Sequence, residues 1–391
     1  MKKKLIAYFQ VIQTPMLYKD TFLIPYYISK KLGLDMEFWA NENQSGSGLP
    51  SSHRGVKLNV GAEKKVTKYN ILKTLFYSII LRYKQVDAIF FVNGSPIQYL
   101  VIIIMRIIKP KLKIVIMGDY EPELAKEILS TSFWTDGCGI KGKLKKILLS
   151  MALKPSVLCI AQPQSYKLVR TLYDKWGWNN IVFMYPCLDD EALRDSGIKL
   201  NDVDAKENMF LYVGRIGNYQ KNTDMLLEAL SKVDMKDWKF YLIGSITDSF
   251  RTDTESNYKE TIDNFFKIHP EKKNNVIFTG PIYDTNMIFD YYNRAKIFVL
   301  TSRHESFANV LSEAAAFGCY FLSTDVGGAT FVTHSWKYGI KLEQEDSDGL
   351  ANAMNRIING SIEIDPSNRL PRHELLYSEK IDDIIRCFNS N

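Results

Sequence analysis

Residues 209–214 read MFLYVG, and residues 215–222 continue as RIGNYQKN. The first six form a short, continuously apolar run that closes on a glycine. A run of this length without polar alternation suits a strand buried on both faces, as in a parallel sheet. A helical pattern opens directly afterwards, at Thr223–Leu230. A buried strand passing through a short polar loop into a helix is half of a βαβ unit.

The same step recurs along the chain. Upstream lie LIAYF from Leu5, MEFWA from Met36, VKLNV from Val56, AIFFV from Ala88, KIVIM from Lys113, VLCIA from Val157 and IVFMY from Ile181. Downstream lie KFYLIG from Lys239, VIFTG from Val276, IFVLTS from Ile297 and YFLST from Tyr320. Strands alternating with helices predict an α/β protein with doubly wound sheets. At 391 residues the chain is long enough for two cores. The charged stretch Arg194–Asn208 has no apolar run and reads as a linker. It separates an N-terminal domain, 1–193, from a C-terminal domain, 209–365. A second polar stretch, Asn359–His373, precedes a terminal helix within 374–391 that could pack back on the N-terminal domain.

Composition narrows the function classes. A net charge of +6 is too mild for a nucleic-acid partner, but it suits an anionic ligand or an anionic membrane surface. Five scattered cysteines with no CxxC read as reduced thiols, which predicts a cytoplasmic location. The start, MKKKLIAYFQ, reads as a basic leader into the first strand rather than a signal peptide. The most apolar stretch, Tyr99–Ile108, is interrupted by Arg106 and stopped by Pro110. It is about half of what a membrane span needs and reads as a buried helix. The segment Lys141–Lys154, KGKLKKILLSMALK, has the composition of a membrane-surface helix. An ordinary surface helix with its apolar stripe in the core would carry the same pattern.

In open α/β sheets, ligands bind beyond the carboxyl ends of strands. After the strand that ends at Gly214, Arg215 follows at once, Lys221 comes six residues later, and a helix starts just beyond. Two cations and a helix N-terminus converging on one strand end can neutralise a diphosphate. Two solvated basic side chains in a loop would leave the same trace. A second constellation, TSRHESFANVLSEAAAFG, spans residues 301–318. Glu305 falls in its loop and Glu313 on its helix, with Gly318 as the residue that stops the helix. Glu305 could simply favour the helix dipole. Glu313 could face solvent, but Leu311, Ala314, Ala315 and Ala316 suggest a buried helix, where a carboxylate needs a partner such as a ligand hydroxyl. Gly280-Pro-Ile-Tyr283 makes a tight turn after another strand. No His/Asp/Glu set demands a metal, and no cofactor motif is present. Asp119, after the strand KIVIM, would face the cleft or cap a turn before Glu121-Pro122.

Taken together, YVGRI…QKNTDMLLEAL, FYLIGS, VIFTGPIY and FVLTSRHESFANVLSEAAAFGCYFLSTDVGG resemble glycosyltransferase family 4, the retaining GT-B enzymes. The resemblance covers Met209–Gly328, with the Glu-x7-Glu pair in register with the Gly-Arg…Lys-Asn motif. It implies two Rossmann-like domains facing each other across a cleft, and metal-independent transfer of a sugar from a nucleotide diphosphate donor. The acceptor would be a glycan or lipid-linked glycan of bacterial surface polysaccharide. The guessed base is uridine, and the lipid-linked acceptor would bring the chain to the inner face of the plasma membrane. A non-catalytic nucleotide-sugar-binding protein and a nucleotide-sugar epimerase are the alternatives. The resemblance further implies that Arg215 and Lys221 bind the diphosphate at the strand end marked by Gly214. Glu305 would contact the transferred sugar and Glu313 the ribose. The backbone of Ser306, Phe307, Ala308 and Asn309 would donate amides, and the backbone at Ile282 would meet the base. The N-terminal half departs from the pattern. Gln10–Thr21 holds no glycine where many relatives have a Gly-Gly loop, Gly118-Asp119 stands where many have a His, and Pro186-Cys187 replaces an Asn-Gly.

Overall fold

The computed structural model describes residues 2–43, 49–61, 66–93, 95–118, 147–148, 150–246 and 258–389. The chain divides into two compact units, Met1–Pro186 with Tyr377–Asn391, and Cys187–Leu376.

Among the described residues the first unit has eight strands: β1 (Lys4–Ile12), β2 (Asp35–Asn43), β3 (Ser52–His53), β4 (Val56–Val60), β5 (Val86–Val92), β6 (Lys113–Gly118), β7 (Val157–Ile160) and β8 (Ile181–Phe183). Their order is β3-β4-β2-β1-β5-β6-β7-β8, parallel throughout except for the β3–β4 pair. Among its described residues the second unit holds six parallel strands: β9 (Glu207–Val213), β10 (Lys239–Ile243), β11 (Val276–Gly280), β12 (Ala295–Leu300), β13 (Tyr320–Thr324) and β14 (Gly339–Leu342), ordered β11-β10-β9-β12-β13-β14. Counted from β9, that is the 3-2-1-4-5-6 order of a Rossmann sheet. Each run read as a strand coincides with one, with MFLYVG, KFYLIG, IVFMY, VLCIA and IFVLTS overrunning its end by one or two residues. The two unread strands are β3, two residues long, and the edge strand β14, whose GIKL is too short and mixed to stand out.

Burial follows the pattern of a two-sided parallel sheet. Leu5 to Phe9 in β1 and Met209 to Tyr212 in β9 are all buried, whichever face they point to. Helices cover the faces. In the first unit the helix Pro96–Ile108 starts at a capping box, in which Ser95 and Gln98 satisfy each other's backbone amides. The stretch read as a buried helix is only partly buried. Val101, Ile102 and Met105 enter the core, while Leu100, Ile107 and Ile108 stay exposed. The terminal helical residues Tyr377–Lys380 and Asp382–Asn389 pack within the first unit, where the Tyr377 ring stacks on Tyr27 and Lys31 pairs with Asp382.

Arg194–Asn208 is built into the second unit rather than forming a free linker. The Lys206 ammonium is buried and donates to the carbonyls of Tyr292, Asn293 and Ala295, at 3.1, 3.0 and 3.0 Å. It thereby satisfies the last carbonyls of the helix Thr285–Arg294. Beside it Asn201 donates its backbone and side-chain N–H groups to the side-chain and backbone oxygens of Asn293. A polar composition signalled a linker, but here the polar atoms are spent on closing a helix end. Among the described residues no helix is long and apolar enough to cross a membrane.

Glu37 of β2 ties the first sheet to the segment that leads into β5. Arg82 grips its carboxylate with two bonds of 2.7 and 2.8 Å, while Lys4 and the Trp39 indole nitrogen complete the shell. The Arg82 hydrogen bonds above all, opposed by burial, hold the carboxyl down at about 2 against an ordinary 4.5. The folded value is the depressed one, so the stabilisation is present above the unfolded value and is lost as pH falls from 4.5 towards 2. Its loss should cost on the order of 2–3 kcal/mol. Denaturant titrations across that window should show Glu37→Gln with a flatter acid slope than the parent chain. Equal slopes would show that this carboxylate does not drive acid unfolding.

Candidate active site in the second unit

The strand order of the second sheet reverses beside β9. The connection after β9 leads away to β10, and the return lands on β12 at the other side. The carboxyl ends of β9 and β12 therefore open a crevice, and the two motif loops lie there. Gly214 ends β9 with its amide bonded to the Ile243 carbonyl at 2.9 Å. The buried Tyr212 hydroxyl donates to the Arg215 carbonyl at 3.0 Å and fixes the first turn of the loop.

The two loops are stitched together. The Arg303 amide donates to the Gln220 carbonyl at 2.8 Å. Thr301, wholly buried, donates to the carbonyls of Lys221 and Asn222, both at 3.0 Å. Asn222 sits in the left-handed region at φ 48° as the N-cap of the helix Thr223–Ser231, which starts at the next residue. Through these ties the Lys221 ammonium forms a short ion pair with the Glu305 carboxylate. Both side chains are largely buried, at 13% and 7% exposure. Ser302 donates to the same Glu305 oxygen at 2.7 Å, and the Gln220 amide reaches the other at 3.2 Å. Gln220 also accepts from Arg215 at 3.1 Å. Arg215, Gln220, Glu305, Lys221 and Ser302 are thus one connected polar network.

Glu305 leads into a strained turn. Ala308 has φ 71°, unusual for a residue with a side chain, and the helix Asn309–Ala316 begins at the next residue. Ser306 and Asn309 are half-buried around it. Phe307 is buried and pins the turn against Gly327-Gly328. A Cβ at Gly328 would meet the Phe307 ring at 2.4 Å, and the Gly328 amide donates to the Phe307 carbonyl at 2.9 Å. Only glycine allows that approach. Gly318 stops the helix at φ 73°.

Glu313 lies one turn inside this helix and is half-buried. A ligand hydroxyl is the partner expected for it from the sequence. The structure supplies one from the protein: the wholly buried Tyr292 hydroxyl donates to Glu313 at 2.8 Å. Burial first, and then the Glu313 charge, push the Tyr292 phenol well above its ordinary value, so it remains a neutral donor. Ile282 follows β11 and is half-buried, while its neighbour Tyr283 is exposed. Asp119 lies outside the described residues, as does the segment 141–146.

Gln220, Thr301, Ser302 and Tyr292 carry the support of this site and were not singled out from the sequence. Gln220 and Ser302 lie inside the quoted motifs, where a position next to a charged residue was their only signal. Arg303 is equally basic and equally close, yet it is structural. Its guanidinium forks onto Glu345 at 2.6 and 3.0 Å and stacks 4.2 Å from the Tyr219 ring centre. Among the described residues no group of three His, Cys, Asp or Glu is placed to hold a metal ion.

Comparison with known proteins covers the same region. Residues 207–360 match the family model described as glycosyl transferases group 1. The capsular polysaccharide biosynthesis glycosyltransferase CapM of Staphylococcus aureus is 27% identical over 184 residues, 46% of this chain and 44% of that protein. The chain thus spans less than half the length of this curated relative. Among solved structures, the lipopolysaccharide outer core galactosyltransferase WaaB aligns over 99% of both chains at TM-score 0.63 and 14% identity. Anabaena Alr3699/HepE in complex with UDP aligns over 99% of this chain and 98% of its own at TM-score 0.60, also at 14% identity. The chain therefore has the GT-B fold of two Rossmann-like units, and its second unit, over residues 207–360, matches the group 1 glycosyl transferases.

Proposed function

We propose that the protein is a glycosyltransferase of polysaccharide assembly that moves a sugar from a nucleoside diphosphate donor onto a glycan or lipid-linked glycan hydroxyl. The observation that carries this is the Lys221–Glu305 pair, held at the strand-order reversal with Arg215 linked through Gln220. As a sugar departs, negative charge grows on the diphosphate it leaves. Cations fixed beside that charge lower the barrier, and they need no rearrangement to do so. Lys221 is fixed by Thr301 and Glu305, and the helix Asn309–Ala316 begins alongside. Glu305 is held from three sides, a geometry suited to accepting hydrogen bonds from sugar hydroxyls. Glu313, oriented by Tyr292, would accept the ribose hydroxyls, with the backbone near Ile282 against the base.

The donor is read as a uridine diphosphate sugar, which the UDP bound by HepE supports. Transfer would retain the anomeric configuration by attack on the face that the phosphate leaves, with that phosphate taking the acceptor proton. This requires no protein nucleophile and no metal ion. The family match over the second unit and the likeness to a capsular glycosyltransferase support transfer over a non-catalytic binder or an epimerase. The reaction would run in the cytoplasm.

Either Arg215→Ala or Lys221→Ala should lose about 2–4 kcal/mol of transition-state stabilisation, read as kcat/KM. Unchanged turnover in both would remove the diphosphate role. Activity should survive EDTA; complete loss restored by magnesium or manganese would overturn metal-free transfer.

The two glutamates should separate kinetically. A ribose contact acts equally in ground and transition states, so Glu313→Gln should raise the donor KM roughly tenfold or more with a smaller change in kcat. A contact to the reacting sugar strengthens as charge develops, so Glu305→Gln should mainly lower kcat. Its affinity for the sugar-free diphosphate should stay near that of the parent, because the Lys221 ammonium is retained. Calorimetry on both variants decides this. Equal loss of diphosphate affinity in the two would contradict the division of labour.

A further inference from the structure

We infer that the second unit carries a separate binding site for a phosphate-type oxyanion, around Arg369 and Arg372 at the amino ends of its strands. The inference goes beyond the proposed reaction and does not depend on it. Lys206 immediately precedes β9, Ala295 opens β12 and Cys319 immediately precedes β13. Groups gathered around these residues lie at the end of the sheet opposite the crevice of Lys221 and Glu305.

Arg369 and Arg372, both half-buried, line a cavity of about 220 Å³ with Ala315, Ala316, Pro366 and Pro371. The Arg372 Nε donates to the Ala316 carbonyl at 2.6 Å and so closes the end of the helix Asn309–Ala316. Arg369 does no such work. Its Nη1 is buried without a hydrogen-bond partner and lies against Gly318, where a Cβ would stand 2.5 Å from it. Among the described residues neither guanidinium is ion-paired with a carboxylate. Asp365, the nearest acid in sequence, caps its own turn, accepting from the Ser367 amide at 2.9 Å, the Ser367 hydroxyl at 2.8 Å and the Asn368 side chain at 3.2 Å. Asp202, which acts on Arg372, is exposed.

The result is a concentration of positive charge that the protein leaves uncompensated. Burial, and then the Arg369 charge, push the Arg372 guanidinium below its ordinary value. The buried Lys206 ammonium is lowered too, by burial above all and in part by both arginines, and its own donors are taken by carbonyls. Like charges held together away from water repel, and an oxyanion in the cavity supplies the missing counter-charge. Size and charge select the occupant. The volume falls below the roughly 300–1,000 Å³ of sites that enclose organic ligands, which favours a small ion. The planar fork of a guanidinium matches phosphate oxygens, and three neighbouring cations favour a dianion over a single carboxylate.

The test is calorimetric titration of the full chain with inorganic phosphate while uridine diphosphate is held at saturation, so that Lys221 and Arg215 are occupied. The parent chain should still bind phosphate. Arg369→Gln should weaken that binding about tenfold or more, the loss expected for a charged hydrogen-bond donor. Arg369→Lys keeps the charge without the fork and should fall between the two. Affinity for uridine diphosphate should be unchanged in both variants, which shows that the second unit is intact. Glycerol phosphate in place of inorganic phosphate separates the sources: weaker binding assigns the site to the free ion, and equal or tighter binding assigns it to a phosphate monoester. If Arg369→Gln fails to fold, Arg369→Lys and the parent titration decide. Absence of phosphate binding by the parent chain would overturn the inference. So would binding that uridine diphosphate abolishes, since phosphate would then be entering the crevice, or binding that neither variant alters. If the chain binds no uridine diphosphate, the transferase reading fails, while the Arg369 variants still decide this one.

Discussion

A parallel sheet cannot continue in one direction from its first strand without leaving the other side of that strand uncovered. Its right-handed crossovers fill one flank and then the other, and the chain must reverse. In the second unit the reversal falls between β9 and β12. The connections that leave these two strands run to opposite sides of the sheet, so their carboxyl ends bound a crevice where the two loops meet. Everything proposed for the protein's chemistry depends on that opening. It brings Lys221, which follows β9, to Glu305, which follows β12.

The crevice is useful because it is held. A lysine and a glutamate removed from water gain attraction but lose hydration, and such a pair is stable only when the remaining donors and acceptors are satisfied. Here Ser302 and Gln220 complete the carboxylate, and Thr301 fixes the backbone that carries the ammonium. The fit of Phe307 against Gly327-Gly328 sets the strained turn that follows. These contacts spend local stability on geometry. A site prepared in this way can meet developing charge without reorganising, which is the physical meaning of electrostatic preorganisation.

Much of this was legible in the sequence, because buried strands and their exits are local features. MFLYVG and IFVLTS announce β9 and β12 by uninterrupted apolarity, and Arg215, Lys221 and Glu305 follow them at short range. What was not legible is non-local. Tyr292 reaches Glu313 across 21 positions, and no pattern on either helix foretells it. Lys206 looked like a linker charge until the carbonyls of Tyr292, Asn293 and Ala295 converged on it. The helix Pro96–Ile108 looked buried because apolarity alone does not tell which residues face the core, and the exposure of Ile107 shows that part of it does not. The first unit departs from the family pattern after β1, where Gln13 to Tyr18 include a short 3-10 turn in place of a glycine loop. There sequence resemblance carried no residue forward.

The central claim is that a nucleoside diphosphate sits at the reversal in the second sheet. A crystal structure of the full chain grown with uridine diphosphate tests it most directly. Diphosphate density within hydrogen-bonding distance of the Lys221 ammonium and the Arg215 guanidinium, with the ribose on Glu313, is the predicted result. Density at the carboxyl ends of β1 and β5 instead, with Lys221 and Glu305 untouched, would contradict it.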